Sequence, residues 1–227
     1  MVTADSMTIK ISVITATYNS EATIFGTLQS LKSQRFKGLE HVVVDGVSTD
    51  GTLDIIRKTG FDCTVIDSRQ DDGIYDALNR GVMLASGDVV GFLHSDDFFP
   101  NSEVLGTIAE VFNDPSVDMC FGDLAYVRQF DHQKVVRRWK SGEFRRSRLR
   151  FGWMPPHPTV YVRRELIKKS LFDLNFKISG DYDVLLRLLC QDSINAVYIP
   201  NELVHMRLGG ESNKSIANMW IKTREDW

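Results

Sequence analysis

The chain reads as an α/β protein organised around a central, mostly parallel sheet, and three observations lead there. Apolar, β-branched runs alternate along the first hundred residues with stretches whose apolar residues recur at helical spacing, the pattern of strand–helix–strand units with right-handed crossovers. Each run ends in polar and turn-forming residues, the place where open parallel sheets bind ligands. A length of 227 residues with 43% hydrophobic content fills one substantial core, and no Pro/Gly/Ser-rich linker, internal repeat or low-complexity tract divides it. We therefore expect a single domain over residues 1–227, with a Rossmann-like half at 9–115 and a β/α extension at 116–227.

Ile9 to Thr15 is the first strand; Ala16-Thr17-Tyr18-Asn19-Ser20 is its loop, and Ile24, Leu28 and Leu31 mark the helix that follows. Leu39 to Val44 repeats the pattern and ends in Asp45-Gly46, with Ser48-Thr49-Asp50-Gly51 as cap and turn before Leu53, Ile55 and Ile56. Thr64 to Asp67 is a third, weaker strand. Ile74, Ala77, Leu78 and Ala85 define a helix that Gly87 is placed to close in a left-handed cap. In the second half, Val117 to Phe121, Leu124 to Val127, Val135 to Trp139 and Thr159 to Val162 read as strands, the middle two as a hairpin tipped by 129–134. Ser179-Gly180-Asp181-Tyr182-Asp183 opens a helix with Tyr182, Leu185, Leu186 and Leu189 as its apolar stripe.

The chemistry concentrates in Gly87-Asp88-Val89-Val90-Gly91-Phe92-Leu93-His94-Ser95-Asp96-Asp97, a strand that delivers two adjacent carboxylates to its carboxyl end. Side-by-side carboxylates repel unless a cation or donors stabilise them, and hard cations such as Mg2+ take carboxylate oxygens together with substrate phosphates. The plainer alternative is that Asp97 and Asn101 cap a helix starting near Ser102. There is no Gly-x-Gly-x-x-Gly after the first strand and no Gly-x-x-x-x-Gly-Lys-Ser/Thr, so neither glycine-rich phosphate cradle is available. A metal at Asp96 and Asp97 would serve instead.

Five blocks now carry a resemblance: Ile14-Thr15-Ala16-Thr17-Tyr18-Asn19, Val42 through Thr52 around Asp45-Gly46, Asp72-Gly73-Ile74-Tyr75-Asp76-Ala77-Leu78-Asn79-Arg80-Gly81, Ala85-Ser86-Gly87-Asp88 and His94-Ser95-Asp96-Asp97. In order and spacing they resemble the signatures of family 2 glycosyltransferases, with a further match at Ser179 to Leu189 and a narrower similarity to bacterial polysaccharide-assembly members of the colanic-acid transferase type. The resemblance implies the GT-A fold, a nucleotide-diphosphate-sugar donor, Mg2+ or Mn2+, and transfer with inversion to a glycan or lipid-linked acceptor. It also implies roles. Tyr18 would lie against the nucleobase with backbone contacts from Ala16 and Thr17, Asp45 would accept a hydrogen bond from the base, Asp96 would face the ribose and diphosphate, and Asp97 would be the direct metal ligand. Thr15, Asp72 and Asn79 complete the donor-side set, while Arg80 reads as a solvated charge. Two departures stand out: His94 where many relatives carry a first acidic residue, and Gly180 where an acidic residue commonly precedes the base.

Asp181 and Asp183 are turned by roughly 200° from each other on a helix, so both cannot face one ligand. By resemblance Asp181 is the general base; a helix N-cap is its plain alternative. No Ser-His or Cys-His nucleophile motif stands out, and inversion needs none. Trp153 and His157 are acceptor-side candidates, and His205 lies near a glycine turn that could close the cleft.

Arg137, Arg138, Lys140, Arg145, Arg146, Arg148 and Arg150 face a single Glu143 and precede Phe151 and Trp153. In a chain of net charge −3 this asymmetry suits peripheral contact with an anionic membrane or a lipid diphosphate, with a solvated loop over the cleft as the alternative. A broad nucleic-acid footprint is not expected, and a homodimer is left open. Three distant cysteines, Cys63, Cys120 and Cys190, point to no disulfide framework and a reducing compartment. With no signal peptide or membrane helix in view, the expected location is cytoplasmic, at the inner face of the cell membrane. Two rivals remain: a sugar nucleotidyltransferase, which should carry a glycine- and basic-rich loop after the first strand, and a catalytically silent nucleotide-sugar-binding module.

Overall fold

The structure, a computed structural model, describes residues 9–208 except 60, 61, 63, 130, 132 and 133; the expectation at Cys63 falls outside them. Four strands, β1 (Ile11–Thr17), β2 (Leu39–Asp45), β3 (Thr64–Ser68) and β4 (Val89–Phe92), alternate with helices α1 (Ile24–Lys32), α2 (Thr52–Thr59) and α3 (Ile74–Leu84). They pair in parallel in the order β3-β2-β1-β4. All seven residues of β1 are buried, as its unbroken β-branched run requires of a strand covered on both faces. β3 is the edge and half exposed, which is why its apolar signal is weak.

Beyond β4 the sheet becomes mixed. The remaining elements are β5 (Asp97–Phe98), α4 (Val104–Phe112), β6 (Met119–Val127), β7 (Val135–Trp139), α5 (Arg146–Leu149), a 3-10 turn at His157–Thr159, β8 (Tyr161–Arg163), α6 (Arg164–Lys169), α7 (Gly180–Leu189) and β9 (Ala196–Arg207). β8 runs antiparallel to both β4 and β6, β9 parallel to β6, and β5 antiparallel to β9. The β6–β7 hairpin forms as expected. Three apolar clusters make the core of the described residues, the smallest being Ile24, Leu28, Val43 and Ile56 between α1, β2 and α2. Of the two larger, one contains α3 and α7 residues such as Leu78, Val82, Leu185 and Leu189, the other Leu105, Ile108 and Phe112 of α4 together with Leu31 of α1.

Three expectations are corrected. Val117 to Phe121 and Leu124 to Val127 are not two strands; β6 runs through Gly122-Asp123, absorbing them as irregularities in its register with β9. The run from Thr159 begins as the 3-10 turn, because Pro156 and Pro158 lack the N–H groups a ladder needs. Gly87 is not in the left-handed region; a Cβ there would lie 2.7 Å from Ser12 Oγ, so glycine serves a close approach of the chain to β1.

Candidate active site

Past β1 and β2, two loops build an open cradle. Asp45, fully buried, accepts hydrogen bonds from the Ser48 N–H (3.1 Å), the Ser48 hydroxyl (2.5 Å) and the Ser68 hydroxyl (2.7 Å). Asn19 donates its N–H to Ser48 Oγ and accepts that of Thr49, both at 2.9 Å. The turn so fixed holds Asn19 and Val47 at φ of 46° and 64°, a region in which a β-branched residue is strained. Tyr18 stands 64% exposed above it. At Gly46 a Cβ would lie 2.8 Å from Asp71 Oδ2 and 3.5 Å from the Tyr18 ring, so ring, bare backbone and carboxylate border one space.

At the end of β4 the loop is pinned from α1. Thr27 shares its hydroxyl hydrogen between the carbonyls of Ser95 (3.0 Å) and Asp97 (2.7 Å), and Ser20 and Ser95 hydroxyls meet at 2.9 Å, tying the cradle to the acid pair. Asp97 does not cap α4: it lies in β5, and Asn101 instead accepts the Glu103 N–H in the turn before the helix. Asp97 is 1% exposed and neither carboxylate oxygen has a hydrogen-bond partner. Burial, and then the charge of Asp96, push its carboxyl well above the usual range, while the charge of Arg207 and its backbone N–H, which approaches without closing a hydrogen bond of full geometry, pull the other way. Arg207 donates to the Asp96 carbonyl and lies 4.7 Å over the Phe98 ring.

From the second half, α7 contributes Asp181 in its first turn. Ser179, not Asp181, occupies the N-cap position. Asp181 Oδ1 accepts the Tyr182 N–H at 2.9 Å and lies 3.4 Å from the Tyr75 hydroxyl. Asp183 is turned to Arg187, 2.8 Å away. His94 sits between the two groups of acids: burial lowers its pKa, and the charges of Asp96 and Asp181 oppose that. His157 is 7% exposed with Nε2 unpartnered, and burial holds its pKa at about 3. Its ring lies 6.0 Å from that of His94.

The structure thus brings Tyr18, Asp45, His94, Asp96, Asp97, Asp181 and His157 to one end of the sheet, and gives other candidates internal duties. The Thr15 hydroxyl meets His41 Nε2 at 3.1 Å inside the sheet, and burial holds that His at about 3 and therefore neutral. Ala16 is buried beside it, its methyl in the apolar core. Both ends of the Asn79 amide bind the Phe172 backbone, at 2.9 and 2.8 Å. Asp72 is exposed and does not cap α3, whose N-cap is Gly73. Arg80 is not a solvated charge: it is largely buried and 2.9 Å from Asp67. Trp153 donates to the Ser141 carbonyl (2.9 Å) and packs on Phe121. His205 binds Glu202 (2.9 Å) and lines a separate groove of 690 Å³ with Asn101, Asp123 and Arg138.

The basic tract is largely paired. Arg138 binds Glu202 and Arg146 binds Asp192, each at 2.6 Å, and Arg137 and Arg148 lie over aromatic rings. Sequence reasoning assigned no role to Tyr75, Asp71 or Arg207, since each reaches the site by a long-range contact. The described cysteines, Cys120 and Cys190, are unpaired with each other. Among the described residues no helix is long and apolar enough to cross a membrane.

Among the described residues no three His, Cys, Asp or Glu side chains converge to hold a metal by themselves. Mg2+-type ions ask for less, one or two carboxylates with substrate phosphates and water. The unpartnered oxygens of Asp97, beside Asp96, fit that donor set.

Residues 12–173 match the family described as glycosyl transferase family 2. A PGL/p-HBAD biosynthesis glycosyltransferase of Mycobacterium bovis is 30% identical over 218 residues, covering 93% of this chain and 82% of that protein. Staphylococcus aureus TarS 1-349, solved with UDP-GlcNAc, superposes with a TM-score of 0.74 at 25% identity over 91% of this chain; the chain spans 61% of that structure. At the level of fold alone, the mannosyltransferase PcManGT of Pyrobaculum calidifontis, solved with GDP-Man and Mn2+, superposes at 0.67 with 19% identity, over 95% of this chain and 61% of that one. The two solved structures share the GT-A-like architecture of this chain, and none of the three proteins is described as of the colanic-acid type, so that narrower similarity is set aside. A cradle and an acid pair at one end of a GT-A-like sheet, and a match over most of its length, place this chain in glycosyl transferase family 2.

Proposed function

We propose that the protein transfers a sugar, with inversion, from a nucleotide-diphosphate donor to a hydroxyl of a glycan or lipid-linked saccharide in cell-surface glycoconjugate synthesis. The observation that carries this reading is Asp97, a buried carboxylate whose oxygens the fold leaves without donors. Tyr18 supplies an aromatic face for the base above Gly46, Asp45 fixes the loop that shapes the base site, and the backbone of Thr15 and Ala16 forms its wall. Asp96 faces the ribose and diphosphate. Asp72 and Asn79 border the donor, Asn79 through the segment it holds. Asp97, with Asp96 beside it, would hold Mg2+ or Mn2+, and the ion would supply Lewis-acid stabilisation of the charge leaving with the diphosphate.

Asp181 takes the proton of the attacking hydroxyl. No covalent nucleophile is required, because one displacement inverts the anomeric centre. His157 and Trp153 lie on the acceptor side, so residues 9–115 serve the donor and 116–227 the acceptor. Phe151, 89% exposed among Arg148 and Arg150, supports a peripheral contact with the anionic inner face of the cell membrane.

A panel of UDP-, GDP- and dTDP-sugars tests this, scored by thermal stabilisation and nucleoside diphosphate release with and without Mn2+ or Mg2+. Metal-dependent stabilisation by one nucleotide class, absent in Asp97→Asn, is the expected result. Equal stabilisation of both proteins would remove Asp97 from the site.

A further inference from the structure

We propose that Tyr75 is a positioning residue for Asp181, and that it works from the space a side chain at position 180 would otherwise fill. This rests on reading Asp181 as the base. A Cβ at Gly180 would lie 2.8 to 2.9 Å from three atoms of the Tyr75 ring, so in this chain an acidic residue before Asp181 and a tyrosine at 75 exclude one another. The ring is itself immobilised. It is 7% exposed, stacks on Phe172 at 5.5 Å, and its hydroxyl donates to the carbonyl of Ile178, two residues before α7.

From that fixed ring the hydroxyl oxygen stands 3.4 Å from Asp181 Oδ1, the same oxygen that takes the Tyr182 N–H at 2.9 Å. Two groups on one oxygen define the plane of the carboxylate and direct its other oxygen, Oδ2, to the proton it must accept. When Asp181 takes that proton on Oδ2, the Tyr75 hydroxyl keeps its own hydrogen, shared between the Ile178 carbonyl and Asp181 Oδ1, and Tyr75 neither gains nor loses one over the step. Among the described residues, Tyr75 from α3 and Tyr182 from its own helix reach the carboxylate oxygen Oδ1. The departure at Gly180 and the tyrosine on α3 become one feature: the carboxylate is oriented by a neutral phenol, not by a second acid.

The test uses the full chain and measures release of nucleoside diphosphate with Mn2+ from UDP-glucose, UDP-GlcNAc or GDP-mannose, whichever gives the largest signal. Tyr75→Phe, which keeps the ring against Gly180, should lower kcat about tenfold while KM for the donor stays within about twofold, since misorientation affects the reacting geometry and not donor binding. In an Asp181→Asn background the same substitution should have no further effect, because a residue that acts through another is silent once that other is gone. Gly180→Ala, which pushes on the ring, should mimic Tyr75→Phe. If Asp181→Asn loses release but Tyr75→Phe does not, or if the two losses multiply in the double variant, Tyr75 is merely structural and the proposal fails. Full release by Asp181→Asn, or no release from any of the three donors, instead removes the reading of Asp181 on which it stands.

Discussion

Asp45, the last residue of β2, and Asp97, the first of β5, belong to one sheet, and the fold treats them oppositely. Both are buried, at 0% and 1% exposure. Around Asp45, three donors from Ser48 and Ser68 replace water; around Asp97 neither oxygen has any, and the second charge of Asp96 adjoins. Burial by itself therefore does not mark a site. A satisfied carboxylate stabilises its loop, whereas an unsatisfied one is held at a cost that a proton, a nearby cation such as Arg207 or a bound ligand must offset.

Four expectations would break or sharpen this contrast. The largest concerns Asp97→Asn, for which metal-dependent release of nucleoside diphosphate should fall by about 10³-fold if several kcal/mol of charge stabilisation is lost. Its stability should not fall with it. A carboxyl whose folded pKa is raised holds a proton that the unfolded chain gives up, so its contribution is full below the unfolded value and is lost as pH rises through the folded one. At pH 8 without metal, Asp97→Asn should thus melt no lower than wild type, and higher if the penalty is fully removed. A clear drop in Tm at pH 8 would mean that Asp97 has a partner in solution.

Asp45→Ala should do the reverse, leaving three donors unpaired. We expect a loss of about 3 kcal/mol, read as a Tm lower by roughly 6–12 °C for a domain of this size. An unchanged Tm would dissolve the contrast. Third, UDP with Mn2+ at about 100 times its Kd should stabilise wild type by about 2.7 kcal/mol and leave Asp97→Asn unmoved; a shift of equal size in both would place the cation elsewhere. The smallest effect is that of Ser68→Ala, which removes one of the three donors to Asp45 and should lower stability by about 1 kcal/mol, visible as a Tm shift of roughly 2–4 °C. A loss as large as that of Asp45→Ala would show that the serines do not share the work.

How far the sequence discloses this arrangement depends on range. β1, β2 and β4 are legible because strands buried on both faces need unbroken β-branched runs, and Asp96-Asp97 is legible because two acids at a strand end conflict with each other locally. β6 is not, because Gly122-Asp123 looks like a break until β9 is beside it. β5 is two residues long and below any periodic signal. Within the site, Tyr18 and Asp181 stand in local motifs, but the approach of Tyr75 to Asp181 spans 106 residues. Asn79 and Thr15 belong to recognisable blocks, yet their side chains bind Phe172 and His41, contacts that no local pattern announces.

The position of β9 has a consequence for the making of the protein. In the sheet it lies between β6 and β5, and its last residue, Arg207, binds the Asp96 carbonyl across 111 residues of chain. On the ribosome, the parallel strands β1 to β4 can pair while the rest is still being synthesised, since domains build from their amino-terminal contacts outward. The segment carrying Asp97 cannot dock, because the strand it docks against does not yet exist. Closure of the acid pair is thereby deferred until β9 has been made.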